Sequence, residues 1–433
     1  MLLHSRMLFI AKYSDESQIH NKIMQRKTRI MINVKSSKLN ILFLTPSFIY
    51  PTIGGDKIKP YKVVEHLART HNVTLLCINS EKEIDKNRYS ALESLGVKVL
   101  SHSTNFYLSA IKALFKTTFA GPLESEFFNS TALNNKVKQI VQAEKIDLII
   151  NYFERTAECV KQLPIPKILL ADDSRTLYQE RTVKTSKSIF QKMKRLWEVR
   201  KIKQYETELY NFFDVVTFVS DEDIAFARQL NNTANYMTVS NGVELEKFKS
   251  NQAFEHRKDI YFIGKLDVWV NQIMIDRLLH EIFPVIKKRV PDVRLFLVGF
   301  NPKRKLVNSL PRDVYVIDSP ESVVPYYNKA RLFIHPQFEG SGIQNKLLEA
   351  LAMSCPAVST PIGSQGINII NRESGIIAKN IEEIIEAAIH VLTDDELAKK
   401  LSINARKLVE QEYSWDKVFA QIDLAINNAL EKF

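Results

Sequence analysis

The sequence predicts an α/β protein made of two doubly wound parallel sheets, and three observations support this. Short apolar runs of strand length alternate with helical stretches, which is the pattern of repeated βαβ units. The alternation runs through residues 39–238 and then begins again in a second series. A chain of 433 residues is also long enough for two domains that each have a full core.

Each predicted strand is a short apolar run bounded by turn residues. The first series has strands at 39–45, 72–78, 97–100, 147–151, 167–171 and 214–220, and the second has strands at 260–264, 293–299, 314–317, 332–335 and 357–360. A loop rich in Pro and Gly at 46–55 joins the first strand to a helix at about 59–69. The regular alternation predicts that both sheets are parallel.

Composition narrows the class of protein. The chain is 45% apolar and 25% charged, as soluble globular proteins are, and its apolar stretches are too short to span a bilayer. Cys77, Cys159 and Cys355 form no C-x-x-C pair, so buried reduced thiols are expected. The histidines have no metal-ligand spacing, so no metal site is predicted.

Much of the net charge of +11 lies at the N-terminus. Residues 1–38 hold eight basic and two acidic side chains, which accounts for +6. We expect this segment to be a flexible basic extension, and Met31 is an alternative start because little structure would be lost. The remaining +5 does not predict a nucleic-acid-binding surface.

The most informative segment is 332–360, which has the pattern of a strand, a loop, a helix and a second strand. Gly340 and Gly342 let a ligand approach the loop, and the start of the following helix offers N–H groups and a positive dipole to a phosphate. Lys346 lies in the first helical turn, and Glu349 follows on the same face. This combination suits a nucleoside diphosphate, with the cation at the phosphates and the carboxylate at the ribose.

This segment resembles the nucleotide-sugar-binding segment of family 4 glycosyltransferases, which have the GT-B fold. The end of the family pattern E-G-F-G-x-x-x-x-E-A-M-A-x-G-x-P-V-V matches well, since the chain has E-A-L-A-M-S-C-P-A-V from Glu349 onwards. The first glutamate of the pattern is replaced by Ser341, and the nearest carboxylate is that of Glu339. The run G-x-G-I-x-N-K-x-L-E-A resembles a branch associated with exopolysaccharide sugar transferases.

The resemblance covers about residues 39–430 and implies how the chain is divided. It implies a GT-B fold in which two Rossmann-like, doubly wound domains face each other across a cleft. The expected parts are the flexible basic extension at 1–38, an acceptor-side domain at 39–238, a nucleotide-sugar-binding domain at 239–412 and a C-terminal helix at 413–433 that crosses back to the first domain.

The resemblance also implies which residues bind the donor. Gly264 and Lys265 match the family's V-G-R, whose cation neutralises the donor diphosphate, and Asn271 stands where the family often has a second lysine. We hypothesise that Lys346 supplies this second cation; the alternative is that it pairs with Glu349 or points to water. Glu349 is expected to accept hydrogen bonds from the ribose hydroxyls.

Further candidates lie on loops. The catalytic candidates are Lys265, Lys346 and Glu339, and the donor-binding candidates are Gly54, Gly55, Gly264, Lys265, Ser341, Gly342, Ile343, Lys346 and Glu349. Glu339 either reaches the donor sugar or sits at the rim, and Gly54 and Gly55 either contact a ligand or form a plain tight turn. Asp172 and Asp173, at a strand end that faces the same cleft, are acceptor-side candidates that could touch the acceptor or the sugar, and helix capping is the favoured alternative.

A basic segment at 184–203 bears on location. It carries eight basic side chains and one glutamate, and it places apolar residues at helical spacing (Ile189, Phe190, Met193, Leu196 and Trp197). Residues 111–119 form a smaller version. Such segments can lie on an anionic membrane. The alternative is that the apolar stripe belongs to the core and the lysines form a solvated face.

We therefore expect a retaining, metal-independent glycosyltransferase that moves a sugar from a nucleotide-diphosphate sugar to a glycan or lipid-linked acceptor in polysaccharide or cell-surface glycan synthesis. No cofactor and no nucleic-acid partner are expected, and the expected location is the cytoplasm, with peripheral contact to the inner face of the membrane. An NAD-dependent oxidoreductase is disfavoured because Asn345 stands at the third glycine of G-x-G-x-x-G. A catalytically inactive GT-B-like accessory subunit is the alternative that Ser341 supports.

Overall fold

The computed structural model describes residues 38–433 except 53, 80–85, 104–120, 185–188, 252–253 and 308–309. In these residues the chain forms two parallel β-sheets packed with helices, so the predicted α/β fold class is confirmed. The predicted basic extension, apart from its last residue, and the smaller basic segment at 111–119 lie outside the described residues.

The first sheet contains all the strands predicted for the first series. Its strands are β1 (Asn40–Thr45), β2 (Asn72–Asn79), β3 (Lys98–Ser103), β4 (Leu148–Tyr152), β5 (Lys167–Asp172), β6 (Val215–Phe218) and β7 (Tyr236–Thr238). Its helices are α1 (Gly55–Ala68), α2 (Lys86–Glu93), α3 (Leu123–Phe128), α4 (Thr131–Ala143), α5 (Arg175–Lys184), α6 (Ile189–Leu209) and α7 (Asp221–Leu230), with 3-10 turns at Glu154–Cys159 and Tyr210–Phe212. The strand order is β3-β2-β1-β4-β5-β6-β7, so the short, unpredicted β7 lies at an edge.

The second sheet follows the same plan. Its strands are β8 (Asp259–Ile263), β9 (Leu295–Gly299), β10 (Val314–Asp318), β11 (Ala330–His335), β12 (Ala357–Ser359) and β13 (Ile376–Ile377), in the order β10-β9-β8-β11-β12-β13. Its helices are α8 (Trp269–Arg277), α9 (Phe283–Arg289), α10 (Arg304–Val307), α11 (Val324–Lys329), α12 (Asn345–Ala352), α13 (Ile381–Thr393) and α14 (Asp395–Glu412), with a π turn at Leu278–Ile282 and a 3-10 turn at Phe254–His256. The unpredicted β13 is the edge strand and has two residues.

Both faces of each sheet are buried, which explains why the strands are apolar runs. In β1, Ile41 and Phe43 enter one hydrophobic cluster, whereas Leu42 and Leu44 enter another. Strands that are covered on both faces lose the alternation of polar and apolar residues that a half-exposed strand has. Cys77, Cys159 and Cys355 are free and buried, as predicted, and burial raises the pKa of each thiol to about 12.

The last helix, α15 (Trp415–Lys432), returns to the first sheet. Ser414 caps it by accepting a hydrogen bond from the Lys417 N–H. Its buried face, which includes Trp415 and Phe419, belongs to the same cluster as the β1 residues. The ring of His66 in α1 stacks on Phe419 with 4.3 Å between centroids. The chain therefore crosses back after the second sheet is complete.

In the basic segment at 184–203, the described residues are the last residue of α5 and the first part of α6, from Ile189 onwards. Its apolar side chains are 48–81% exposed: Ile189, Phe190, Met193, Leu196 and Trp197. The buried face of α6 is formed instead by residues such as Val199 and Ile202. The interpretation that the apolar stripe belongs to the core is therefore wrong. Among the described helices none is long and apolar enough to cross a membrane.

Candidate functional site

Loops at the carboxyl ends of the strands of the two sheets meet in a cleft. The loop after β1 contacts Lys265, which follows β8. The loop after β5 contacts Ser341, which follows β11, through a hydrogen bond from Ser341 Oγ to Asp173 Oδ2 of 2.7 Å. The predicted candidates of both halves are thus brought to one place. Carboxyl ends of parallel strands are the usual location of ligand sites in α/β proteins.

Gly54 and Gly55 allow the two halves to approach closely. Gly54 has a φ of +109°, and a Cβ at this position would lie 2.5 Å from Lys265 Nζ. A Cβ on Gly55 would lie 2.7 Å from Asn345 Nδ2. Polar side chains of the second half therefore occupy the space that a larger residue would need. This close approach is more than a plain tight turn requires.

A single asparagine joins the backbone of Lys265 to the side chain of Lys346. Lys346 Nζ donates to Asn271 Oδ1 at 2.5 Å, and Asn271 Nδ2 donates to the Lys265 carbonyl at 2.6 Å. A Cβ on Gly264 would lie 3.3 Å from Asn271 Nδ2 and 3.6 Å from Lys346 Cε, so this glycine leaves room for the connection. Lys346 is bound to Asn271 rather than paired with Glu349. Its ammonium group lies beside the position where a second lysine was expected.

The start of α12 faces the same cleft. Asn345, its first residue, accepts a hydrogen bond from Asn241 at 2.9 Å. Gln344 at the N-cap position turns its side chain back to the carbonyls of Ser341 and Gly342, both at 3.3 Å, instead of capping the first turn. The dipole of the helix and its first N–H groups therefore favour an anion beside Lys346.

Glu349 is held on the cleft side of α12. Tyr327 in α11 donates to Glu349 Oε2 at 3.2 Å and to the Lys346 carbonyl at 3.0 Å. Burial raises the pKa of Glu349 to about 7 and lowers the pKa of Lys346 to about 8. A partly desolvated cation and carboxylate beside each other can each interact strongly with a polar ligand, because little water competes.

Glu349 and Asn345 line a cavity of ≈ 290 Å³ between the two halves. Tyr50 and Tyr61 of the first half line it as well, together with Gly242. Aromatic rings next to a carboxylate suit a nucleoside, whose base is flat and whose ribose carries hydroxyl donors. The role of Glu349 at the ribose stays a prediction, and it would place the nucleoside in this cavity.

Glu339 lies deep in the structure and not at the rim. Its side chain is 1% exposed, and both carboxylate oxygens accept hydrogen bonds from Arg277 in α8, at 2.9 and 2.5 Å. Arg277 also donates to the Pro336 carbonyl at 3.2 Å. The suggestion that Glu339 sits at the rim is wrong. Its bidentate pair with Arg277 indicates that it holds the loop in place.

Asp172 and Asp173 have different surroundings, and neither caps α5. Asp172 accepts from Lys59 Nζ at 2.7 Å and from the Tyr152 hydroxyl at 2.6 Å. Asp173 accepts from Ser341, as described above. The cap of α5 is Ser174, whose Oγ accepts from the Leu177 N–H at 3.3 Å. The helix-capping interpretation of the aspartates is therefore wrong.

The loop between β11 and α12 is fixed from both halves. Gly340 and Gly342 have φ of +92° and +73°, and the flanking Ser341 and Ile343 are buried. Arg181 in α5 donates to the Gly340 carbonyl at 2.9 Å. The loop is therefore held by buried side chains and by a hydrogen bond from the first half, and its role in donor binding stays a prediction.

Several residues around the site were not predicted. Arg181, Arg277 and Tyr327 donate hydrogen bonds to Gly340, Glu339 and Glu349, respectively. The side-chain amide of Asn345 lies against Gly55. They lie on different elements, so no local pattern marks them; only their partners in space do. Among the described residues no group of three His, Cys, Asp or Glu side chains could hold a metal ion.

Comparison with protein families and curated sequences gives one consistent result. Residues 257–394 match the family model described as glycosyl transferases group 1. An uncharacterized 44.6 kDa protein in the cps region of Klebsiella pneumoniae is 21% identical, over 88% of this chain and 98% of that protein. The capsular polysaccharide biosynthesis glycosyltransferase CapM of Staphylococcus aureus is 25% identical, over 45% of this chain and 54% of its own length.

Solved structures agree on the fold. Sucrose-phosphate synthase from Thermosynechococcus elongatus matches with a TM-score of 0.66 and 16% identity, over 89% of this chain and 98% of that one. HepE of Anabaena, solved in complex with UDP-glucose, matches with a TM-score of 0.61 and 14% identity, over 90% of this chain and 99% of its own. The arrangement of two sheets across a cleft is therefore shared with these proteins.

Proposed function

We propose that this chain, which is a glycosyltransferase of GT-B fold with a group 1 glycosyl transferase domain at 257–394, transfers a sugar from a nucleotide-diphosphate sugar to a glycan or lipid-linked acceptor. The observation that carries the proposal is the connection from Lys265 through Asn271 to Lys346 at the start of α12. The Lys265 ammonium lies against Gly54, and the Lys346 ammonium lies on Asn271 at the start of α12. Cations lining a cleft beside the positive end of a helix suit a diphosphate. Glu349, on the same helix, would bind the ribose.

The proposed mechanism is retaining and needs no metal ion. Breaking the bond between the sugar and the diphosphate places negative charge on the leaving group, and preorganised cations stabilise that charge. Lys265 and Lys346 would provide this stabilisation, and the two halves of the chain would exclude water that could hydrolyse the donor. The named relatives favour a role in polysaccharide synthesis, since one lies in a cps region and another is a capsular polysaccharide enzyme.

The decisive experiment combines binding and turnover. The protein would be screened by thermal shift against UDP-, GDP- and dTDP-sugars, beginning with UDP-glucose because HepE was solved with it. A donor that stabilises the protein would then be tested for hydrolysis with and without EDTA, and the anomeric configuration of the released sugar would be determined by NMR. Stabilisation with EDTA-insensitive turnover and retained configuration would support the proposal. No stabilisation and no hydrolysis with any of these donors would contradict it.

The pH dependence of kcat/KM for donor hydrolysis is expected to be bell-shaped, because kcat/KM reports ionisations of the free enzyme. Activity should fall below the Glu349 pKa of about 7, where the carboxylate is protonated and accepts hydrogen bonds less well, and above the Lys346 pKa of about 8, where the cation is lost. The maximum is therefore expected between these values.

Two variants assign the limbs of this profile. Lys346→Arg should remove the alkaline limb, since a guanidinium stays charged over this range. Glu349→Gln should lower activity and remove the acid limb. Persistence of the alkaline limb in the Lys346→Arg variant would contradict the assignment of that limb to Lys346.

Peripheral membrane contact is the second part of the proposal. The exposed apolar side chains of α6 lie among Lys192, Lys194 and Arg200, which are exposed as well. Apolar residues can enter the interface of an anionic bilayer while basic residues contact its head groups. Such contact would bring a lipid-linked acceptor to the cleft.

Replacing Phe190 and Met193 with serine is expected to weaken binding to vesicles containing phosphatidylglycerol, measured by co-sedimentation. Loss of one large buried apolar side chain costs roughly 1.5–3 kcal/mol, so the double variant should bind at least ~10-fold more weakly. Donor hydrolysis in solution should not change. Phe433→Ser is the matched control, because Phe433 is 67% exposed and lies outside this surface. Equal binding by all three proteins would exclude α6 as the membrane contact.

A further inference from the structure

One carboxylate of the first half lies against the donor loop of the second half. Asp173 follows β5, and its Oδ2 accepts the hydrogen bond from Ser341 Oγ at 2.7 Å. A Cβ on Gly342 would lie 3.4 Å from Asp173 Cβ, so glycine here allows the approach. This carboxylate therefore lies at Ser341, the position where the family pattern has its first glutamate.

The neighbouring carboxylates are engaged elsewhere. Asp172 is paired with Lys59, whose ammonium also donates to the Val239 carbonyl at 2.8 Å. Glu339 has both oxygens on Arg277. A carboxylate has about four acceptor positions, and the bond from Ser341 fills one of those on Asp173. Asp173 is also partly exposed, whereas Glu339 is 1% exposed, so of these two carboxylates Asp173 is the one that a ligand can reach.

The backbone directs Asp173 into the cleft. Asp172 has a φ of +67°, in the left-handed region, which turns the chain directly after β5. Asp172 is held in this turn by Lys59 and Tyr152. Asp173 also borders a small cavity that Arg155 and Arg175 share. A strained turn fixed by buried partners is a typical way to position a functional side chain.

We propose that Asp173 binds hydroxyl groups of the transferred sugar in the donor, with Ser341 as its positioning residue. This inference rests on the proposed function and assigns Asp173 to the donor sugar rather than to the acceptor. Hydroxyl groups are donors that an ionised carboxylate accepts strongly. Because Asp173 and Ser341 belong to different halves, this contact is complete only when the halves are together. Sugar binding and cleft closure are thereby coupled.

The test removes the carboxylate at Asp173 in the first half and introduces one at Ser341 in the second half. Asp173→Ala should lower kcat/KM for hydrolysis of UDP-glucose, or of the GDP- or dTDP-sugar that the screen selects, by about 10²-fold, as loss of a charged hydrogen-bond partner does. Binding of the corresponding nucleotide without sugar should be unchanged. Ser341→Glu alone should also lower activity, because two carboxylates at this distance repel each other. The double variant Asp173→Ala/Ser341→Glu should recover most of the lost activity.

Further variants separate sugar binding from folding. Asp173→Asn keeps an acceptor for Ser341 and should preserve thermal stability while it still loses activity. Asp276→Ala is the control, since Asp276 is 74% exposed and distant from the loop in sequence. The inference is overturned if Asp173→Ala/Ser341→Glu is well folded but no more active than Asp173→Ala. It is also overturned if Asp173→Ala changes only the KM for the acceptor. A wild-type protein that binds no nucleotide-sugar would instead refute the proposed function itself.

Discussion

Replacing Lys346 with alanine is expected to lower kcat for donor hydrolysis by roughly 10²–10³-fold, the loss typical when one group that stabilises developing charge is removed. The ammonium of Lys346 lies at the start of α12, where helix dipole and side chain act on the same leaving diphosphate. Burial, which lowers the pKa of Lys346 to about 8, removes part of the water around its ammonium before substrate arrives. The measurement is single-turnover hydrolysis at saturating donor.

A second variant, in which the lysine is moved from position 346 to position 271, tests whether the positive charge itself is needed. Lys346 Nζ is 2.5 Å from Asn271 Oδ1, so a lysine at 271 can place its ammonium close to the same point. The double variant Lys346→Ala/Asn271→Lys should therefore recover activity to within about 10-fold of wild type, since charge at this point is what stabilises the transition state. Lys258→Ala, at an exposed lysine in the same half, is the control and should retain full activity. Normal turnover by Lys346→Ala would show that the cation has no role in the reaction.

The sequence predicted the sheets well because their strands are buried on both faces. Runs such as 41–44 are apolar without interruption, and a short apolar run between turns has few other interpretations. The edge strands β7 and β13 were not predicted, because they have three and two residues, respectively, and such short strands show no periodicity. The segment from Gly340 to Glu349 was recognisable because its functional residues are close together along the chain.

Contacts between residues that are far apart in the sequence could not be predicted in the same way. Arg277 and Glu339 are 62 residues apart, and no periodicity connects α8 with the loop after β11. Asp172, Asp173 and Ser174 are consecutive polar residues, each able to cap a helix, and the left-handed turn at Asp172 decides which one does. The apolar side chains of α6 have helical spacing whether they are buried or exposed. Periodicity predicts that a helix has an apolar face, but only the packing of the fold shows whether that face is buried.

Replacing Arg277 with methionine is expected to reduce the free energy of unfolding by about 3–5 kcal/mol, because it leaves the buried carboxylate of Glu339 without its partner. Glu339 is 1% exposed and Arg277 is 18% exposed, so water cannot easily replace the lost hydrogen bonds. Urea unfolding followed by circular dichroism would measure the change. Arg289→Met is the control, because Arg289 is 59% exposed and makes a longer ion pair, 3.6 Å, with Glu386.

A second replacement separates the structural from the catalytic role of Glu339. In Arg277→Met/Glu339→Met both charges are removed, and apolar replacement of a buried ion pair is often neutral for stability. The double variant should therefore regain most of the lost stability. If Glu339 only holds the loop, the double variant should also recover donor hydrolysis, to within about 10-fold of wild type. The reason is that Lys265 and Lys346, which act on the diphosphate, are unchanged. A double variant that is stable yet hydrolyses the donor about 10³-fold more slowly would instead show that Glu339 is catalytic, since deleting a positioned catalytic group lowers the rate by that much.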